Sequence, residues 1–364
     1  MKIVVALDPF KGCLTAEEAC QAAGEGIRAA WPGTCVVELP LSDGGEGLVA
    51  CVRRMQPTVD VTLTVHGPLL EKVTSSYALS PDRKCAYMEM AAASGLTLIP
   101  EERRNPMLTT TYGVGEMMAD AVERGCERIV MGIGGSATCD AGKGMLEALR
   151  AHDCLHPKCQ LVVACDVDNP LYGPRGAAYV FAPQKGATPE QVSLLDDRLR
   201  RFALATEEAG IVSPEMAHHP GAGAAGGLGY ALLTYLHAEL RSGIDIVLDI
   251  ARFDQLIQGA EVVITGEGKS DAQTLMGKVP YGVQKRCRRA GVPVWLLSGA
   301  IEDTDAMLST HFDRVHSINE GDERPLPQLL QPEVAKENLH QMAGRLCATL
   351  RDAQASDSLP DRPR

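Results

Sequence analysis

The sequence predicts an α/β protein whose sheets are largely parallel. Short runs rich in β-branched and apolar residues recur along the chain, and helical patterns separate them. Continuous apolar strands that alternate with helices are typical of parallel sheets covered on both faces. Two helices begin with capping boxes, Thr15 with Glu18 and Thr188 with Gln191, and Gly291 is placed to end another. The runs predicted to form strands are KIVVAL, CVVEL, VDVTLTV, AYMEMA, RIVMGI, LVVAC, AAYVFA, DIVLDI, EVVITG, PVWLLS and RVHSI.

The length of the chain suggests how it is divided. At about 150 residues per domain, 364 residues correspond to roughly two domains. Residues 259–301 form a strand–helix–strand pattern of the same kind as the opening of the chain. We therefore expect a doubly wound domain built from residues 1–63 and 257–352, with a second α/β domain, residues 64–256, inserted into it. Residues 353–364 are predicted to form a disordered tail.

Composition argues against several classes of protein. The chain carries 47 acidic and 35 basic residues, a net charge of −12, and only 4% aromatic residues. A broad nucleic-acid or anionic-membrane surface is therefore not expected. The twelve cysteines include no CxxC pair, which favours reduced thiols used as small apolar residues in a cytoplasmic protein. No apolar run suits a signal peptide or a membrane span.

The stretch MGIGGSATCDAGKGM, residues 131–145, follows a predicted strand and precedes a predicted helix. Gly132, Gly134 and Ala137 match a dinucleotide-binding pattern, but Asp153 does not follow a second strand, where the ribose-binding acid belongs. The phosphate-loop pattern of nucleotide hydrolases also fails, because Gly rather than Ser or Thr follows the lysine. A phosphate-binding turn and a closely packed turn remain equally supported by this loop alone.

Two loops near the N-terminus follow predicted strands and carry charged residues. Asp8 ends the first strand, and Lys11 comes shortly after it. In SDGGEG, Asp43 and Glu46 have the spacing of a capping box, but two glycines between acids also suit a sugar-acid or Mg²⁺ site. Each loop therefore has a structural and a functional interpretation.

Two later loops combine acids with cations. In ACDVDNP, Asp166, Asp168 and Asn169 offer the hard oxygen ligands that Mg²⁺ prefers, although Asp, Asn and Pro also favour turns. TGEGKSDAQTLMGK places acids and lysines after a further strand. Ligands bind at the carboxyl ends of strands in open α/β sheets, so together these loops favour phosphoryl transfer, in which a protein mainly positions groups and balances charge.

Along nearly its whole length the chain resembles the bacterial glycerate kinases of the first type. The resemblance rests on DPFKG, PLSDGGEG, EMAAASGL, RNPMLTTTYGVGE, GIGGSATCDAGKGML, VACDVDNPLYGPRGAA, FAPQKGATP, PGAGAAGGLGYAL, SGIDIVLD and TGEGKSDAQTLMGKVPYGV, in this order. It implies ATP-dependent phosphorylation of D-glycerate, with Mg²⁺ as cofactor and the 2-hydroxyl favoured. It also implies a flavodoxin-like domain, a second α/β domain inserted into it, and an active site in the cleft between them.

Candidate site residues follow from the motifs and the resemblance together. The candidate catalytic residues are Asp8, Lys11, Asp43, Lys185, Asp271 and Lys278. The candidates for binding substrate or phosphate are Gly44, Gly45, Glu46, Gly134, Gly135, Ser136, Thr138, Gly266 and Glu267, and those for metal are Asp166, Asp168 and Asn169. Among these, Asp8, Asp43 and Asp271 are alternatives for the base that takes the hydroxyl proton, and Lys185 and Lys278 are expected to stabilise the transferring group.

The chain departs from the family pattern at a few places. Pro9 stands where the family has Ser, residues 139–142 read Cys-Asp-Ala-Gly instead of Asn-Asp-Gly-Gly, and the segment 151–160 is shorter than usual. A phosphate- or sugar-acid-binding regulatory protein on the same scaffold, without turnover, is the alternative function, and a dehydrogenase is suggested only by the glycine pattern. The expected partners are D-glycerate and ATP; a homodimer is left open.

Overall fold

The computed structural model describes residues 1–44, 47–155 and 158–357, in which strands and helices alternate along most of the chain. The strands are β1 (Lys2–Leu7), β2 (Cys35–Glu38), β3 (Val59–His66), β4 (Lys72–Leu79), β5 (Cys85–Glu89), β6 (Arg128–Gly132), β7 (Gln160–Ala164), β8 (Glu239–Arg241), β9 (Val262–Gly266), β10 (Lys269–Ser270), β11 (Val294–Ser298), β12 (Ala300–Ile301) and β13 (Arg314–Ser317). The helices are α1 (Ala16–Ala30), α2 (Leu48–Met55), α3 (Ala91–Ser94), α4 (Tyr112–Glu123), α5 (Lys143–Ala151), α6 (Ala177–Phe181), α7 (Pro189–Glu208), α8 (Ala224–Leu236), α9 (Gly243–Ile250), α10 (Phe253–Leu256), α11 (Val279–Ala290), α12 (Met307–His311), α13 (Leu326–Leu329) and α14 (Pro332–Asp357).

The chain divides into two compact units. The first unit contains Met1–Asp43 and Val247–Arg364, and the second contains Gly44–Ile246. The first unit is thus made from both ends of the chain, with the second inserted. The boundaries differ from those suggested by the sequence, 63/64 and 256/257. The first boundary lies earlier because α2 packs on β4 and β5 and because β3 pairs with β4, all within the second unit.

The first unit is built on a five-stranded parallel sheet in the order β2-β1-β9-β11-β13. Counted along this unit's own chain, that is the 2-1-3-4-5 order of flavodoxin-like folds. Apolar side chains of β1, β9 and β11 are buried against α1 and α14, which pack together. Both α1 and the second unit's α7 begin with the predicted capping boxes, and Gly291 ends α11 in the left-handed conformation.

The second unit contains a six-stranded sheet in the order β3-β4-β5-β6-β7-β8. The strands from β5 to β8 are parallel, whereas β3, β4 and β5 pair antiparallel. The β3 sequence VDVTLTVH alternates buried or half-buried and exposed residues, as expected for a hairpin strand with one face toward solvent. The sheets are therefore less uniformly parallel than the sequence suggested.

Two of the runs predicted as strands are helical. AAYVFA contributes α6, and DIVLDI lies in α9. In α9 the fully buried residues Ile244, Val247 and Leu248 have the spacing of one helical face. The prediction of a strand for DIVLDI was wrong because so short an apolar run fits either a strand or a helix. Of the predicted tail, residues 353–357 continue α14 and residues 358–364 lie outside the described part of the chain. No helix among the described residues is long and apolar enough to cross a membrane.

Candidate active site

Two acidic residues meet at the carboxyl edge of the first unit's sheet. Asp8 directly follows β1 and Glu267 directly follows β9, and these strands are neighbours with Leu7 opposite Gly266. In a sheet of the order 2-1-3-4-5, the chain connections diverge between these two strands, and ligands bind in the crevice that opens there. The topology therefore brings together two candidates that are far apart in sequence.

Glu267 is a buried carboxylate held by several side chains. Its Oε1 accepts hydrogen bonds from Ser270 Oγ at 3.1 Å and Thr274 Oγ1 at 2.6 Å. Its Oε2 accepts from Lys278 Nζ at 3.3 Å, and Glu267 is only 6% exposed. Glu267 therefore positions the Lys278 ammonium. Sequence analysis missed Ser270 and Thr274, although hydroxyl residues three and seven positions after a glutamate were a usable signal.

Asp8 is buried beside other acids. Burial, then Asp43 and then Glu267 raise its pKa, Lys11 and Lys278 act in the opposite direction, and the pKa of Asp8 lies at about 8 as a result. A carboxyl group that gains or loses its proton near neutral pH is suited to general base catalysis.

Asp271 has a structural role next to this cluster. It caps the 3₁₀ turn Ala272–Met276, where its Oδ1 accepts a hydrogen bond from the Gln273 backbone N–H at 2.9 Å. Its own N–H donates to Thr274 Oγ1 at 3.1 Å. The carboxylate is therefore committed to the turn that carries Thr274.

A cavity of about 530 Å³ in the first unit gathers the candidates of that unit. Its lining includes the predicted residues Asp8, Lys11, Asp43, Glu267, Asp271 and Lys278. The glycine at 266 has a packing explanation instead, because a Cβ there would lie 1.6 Å from the Leu297 carbonyl oxygen. Gly44 belongs to the second unit and has φ +75°. A Cβ at this position would lie 2.8 Å from the Cα of Gly243. Gly45 and Glu46 lie outside the described residues.

The glycine loop of residues 134–138 lies in the second unit. Leu96 N donates to Gly135 O, and Ala137 N donates to Ser94 O, so neighbouring backbone fixes the loop. Within the described residues no acceptor is found for the backbone N–H groups of Gly134 and Gly135, which are half-buried. The loop thus keeps donors of the kind that bind anions.

Lys185 holds this loop. Its ammonium is buried and donates to Ser136 Oγ at 2.6 Å and to the Thr138 carbonyl oxygen at 2.7 Å. Burial lowers the pKa of Lys185 to about 8. Asp140 accepts hydrogen bonds from the backbone N–H groups of Gly142 and Gly144 at the start of α5, whose N-cap position is occupied by Gly142.

Of the candidate metal ligands, Asp166 bonds to a different residue from Asp168 and Asn169, which both contact Arg175. Asp166 Oδ1 accepts from the Gly243 backbone N–H at 3.0 Å. Asp168 forms an exposed ion pair with Arg175 at 3.4 Å, and Asn169 Nδ2 donates to the Arg175 carbonyl oxygen. Among the described residues no three His, Cys, Asp or Glu side chains come together as a metal site. Mg²⁺ commonly needs only one or two carboxylates besides substrate phosphates, so this arrangement leaves the metal assignment a prediction.

Comparisons with known proteins agree along nearly the whole chain. The sequence profile of the glycerate kinase family matches residues 3–154 and 150–351, two segments that meet at the shortened region. A glycerate kinase of Bacillus subtilis is 42% identical, over 88% of this chain and 91% of the relative. A glycerate 2-kinase of Escherichia coli is 40% identical, over 87% and 90%. A crystal structure from Salmonella typhimurium assigned as glycerate kinase 2 has 38% identity and a TM-score of 0.82, covering 98% of this chain and 99% of that one.

Proposed function

The chain belongs to the glycerate kinase family, and from this we propose that it transfers the γ-phosphoryl group of ATP to a hydroxyl group of D-glycerate. The 2-hydroxyl is favoured, because a relative 40% identical over most of the chain is a glycerate 2-kinase. The observation that carries the proposal is this identity along most of the chain. The named relatives are kinases, and nothing in the comparisons favours a binding protein without turnover.

The acidic and basic groups of the first unit's cavity suit the reaction. Asp8 is assigned as the base that takes the hydroxyl proton while the oxygen attacks the γ-phosphorus and ADP leaves. It is preferred over Asp271, which caps a turn, because its raised pKa matches neutral pH. Lys278, oriented by Glu267, and Lys11 offset the negative charge that develops on the transferring group.

The second unit's loop is a candidate for binding an anionic group of either substrate. Its support is the pair of half-buried glycines with available backbone donors. Lys185 is assigned as a positioning residue for the loop and not as a group that touches phosphate, because its ammonium already donates hydrogen bonds to Ser136 Oγ and to the Thr138 carbonyl oxygen. Mg²⁺ would supply charge neutralisation on the phosphates. A cytoplasmic location fits the thiol-rich composition, and a homodimer stays open.

A coupled assay of ADP release with D-glycerate tests the function. We expect ADP release only when glycerate and Mg²⁺ are both present, and no reduction of NAD(P) under the same conditions. Phosphorus NMR of the product distinguishes phosphorylation at the 2- and 3-positions. Glycerate binding without ADP release would instead support a binding protein, and reduction of NAD(P) would support a dehydrogenase.

A further inference from the structure

One wall of the first unit's cavity is apolar and largely exposed. Leu326, Leu329 and Leu330, on and just after α13, line it, and we call them the leucine wall. Their spacing of three and four positions places them on one helical face. Leu326 is 64% exposed and Leu330 is 45% exposed. Three leucines kept on one face toward a cavity indicate a ligand with an apolar surface.

The order of the strands in the sheet places the charged lining residues at one side of the cavity and apolar ones at the other. Its lining follows the carboxyl ends of four neighbouring strands, with Asp8 after β1, Glu267 after β9, Gly299 after β11 and Ile318 after β13. Neighbouring strands are about 4.8 Å apart, so these four ends span roughly 14 Å. The charged lining residues follow β2, β1 and β9, and the leucine wall follows β13 in the chain.

The size and chemistry of the cavity exceed what glycerate needs. A volume of about 530 Å³ falls among cavities that hold drug-sized ligands, roughly 300–1,000 Å³, and a three-carbon hydroxy acid would fill a small part of it. Every carbon of glycerate carries oxygen, so glycerate has little apolar surface to place against three leucines. A nucleotide has both a flat, weakly polar base and a polyphosphate separated from it by a sugar.

We propose that the first unit's cavity binds the nucleotide, with the adenine base against the leucine wall and the phosphates toward Lys11 and Lys278. This assignment rests on the proposed function for the presence of ATP, and it adds which unit binds ATP and which side chains receive the base. The leucine wall makes apolar contact with the base, so it sets affinity for the nucleoside without touching the reacting atoms.

Calorimetric titration of the full chain tests the assignment with two probes, Mg-ADP and inorganic tripolyphosphate. The variants Leu330→Asp and, separately, Leu326→Asp place a charge on the leucine wall. Leu194→Asp, on α7 of the second unit, is the matched control, because Leu194 is 46% exposed and Leu330 is 45% exposed. Thermal melting of each variant identifies any that does not fold.

We expect the Kd for Mg-ADP to rise roughly tenfold or more in both leucine-wall variants, since each loses apolar burial and gains a charge beside the base. The Kd for tripolyphosphate and the KM for glycerate should stay unchanged, and Leu194→Asp should match wild type. Unchanged Mg-ADP affinity in folded variants would overturn the assignment, as would equal weakening of both probes.

The nucleotide assignment and the kinase function can be refuted independently of each other. Wild-type turnover with leucine-wall variants that bind Mg-ADP normally would refute the nucleotide assignment and leave the kinase function standing. Nucleotide binding that depends on the leucine wall, without any turnover of glycerate, would refute the kinase function and support the assignment.

Discussion

Replacing Asp8 with Asn should both stabilise the protein near neutral pH and strongly reduce its activity. Burial and the neighbouring acids Asp43 and Glu267 raise the pKa of this carboxyl to about 8, whereas an aspartate in an unfolded chain ionises near 3.9. Between these values the folded protein holds a proton that the unfolded chain has released. Stability of the wild-type protein therefore falls as pH rises from about 4 to 8, and the Asp8→Asn variant escapes this loss.

The size of the effect follows from the displaced pKa. A change from 3.8 to about 8 corresponds, at about 1.4 kcal/mol for each tenfold change in the ionisation constant, to on the order of 6 kcal/mol. Asp8 is only 8% exposed, so solvent screens little of this. The stability advantage of Asp8→Asn over wild type should grow by this amount between pH 4 and 8 and level off above pH 8. Loss of the general base should lower kcat by roughly 10²-fold or more.

Urea unfolding at pH 4, 6, 8 and 9 measures the stability difference, and steady-state kinetics with glycerate and ATP measures the activity. Asp305→Asn, an exposed aspartate of the same unit, is the control and should change neither quantity appreciably. In wild type, kcat/KM should rise with pH as Asp8 loses its proton. If the difference in free energy of unfolding between Asp8→Asn and wild type is the same at all these pH values, Asp8 does not keep its proton in the folded protein at neutral pH. Turnover by Asp8→Asn within a few-fold of wild type would refute its role as base.

Three further changes test other parts of the structure. Lys185→Met should raise a substrate KM more than it lowers kcat if the lysine positions loop 134–138, and an equal fall in kcat and kcat/KM would point to direct contact in the transition state. Asp168→Asn should melt normally but lower kcat by roughly 10²-fold with an altered Mg²⁺ dependence; turnover near wild type at all Mg²⁺ concentrations would leave it only an exposed ion-pair partner. Gly266→Ala should destabilise the protein by about 3 kcal/mol or more, because the new methyl group would overlap the Leu297 carbonyl oxygen. Gly259→Ala, the control, should cost about 1 kcal/mol from its positive φ alone. Equal losses of stability in urea unfolding would contradict the packing explanation.

Local features of the chain were predicted from sequence because they depend on near neighbours. The capping boxes at Thr15 and Thr188 and the glycine end of α11 involve residues only a few positions apart, and all three are present. Most predicted strands are also found. The errors at AAYVFA and DIVLDI arose where a short apolar run has no decisive period. The order of many long motifs was sufficient for the family, since such an order rarely arises by chance.

The chemistry of the site was decided by the tertiary structure. Asp8 and Glu267 are neighbours only because β1 pairs with β9, and the raised pKa of Asp8 comes from burial and from charges carried by distant segments. Sequence analysis could nominate Asp166 and Asp168 as a pair, but the fold gives them different partners. A residue's type and spacing determine which local bonds it can make. Its desolvation and its charged neighbours depend on chain segments brought together by folding, and these set its protonation and its role.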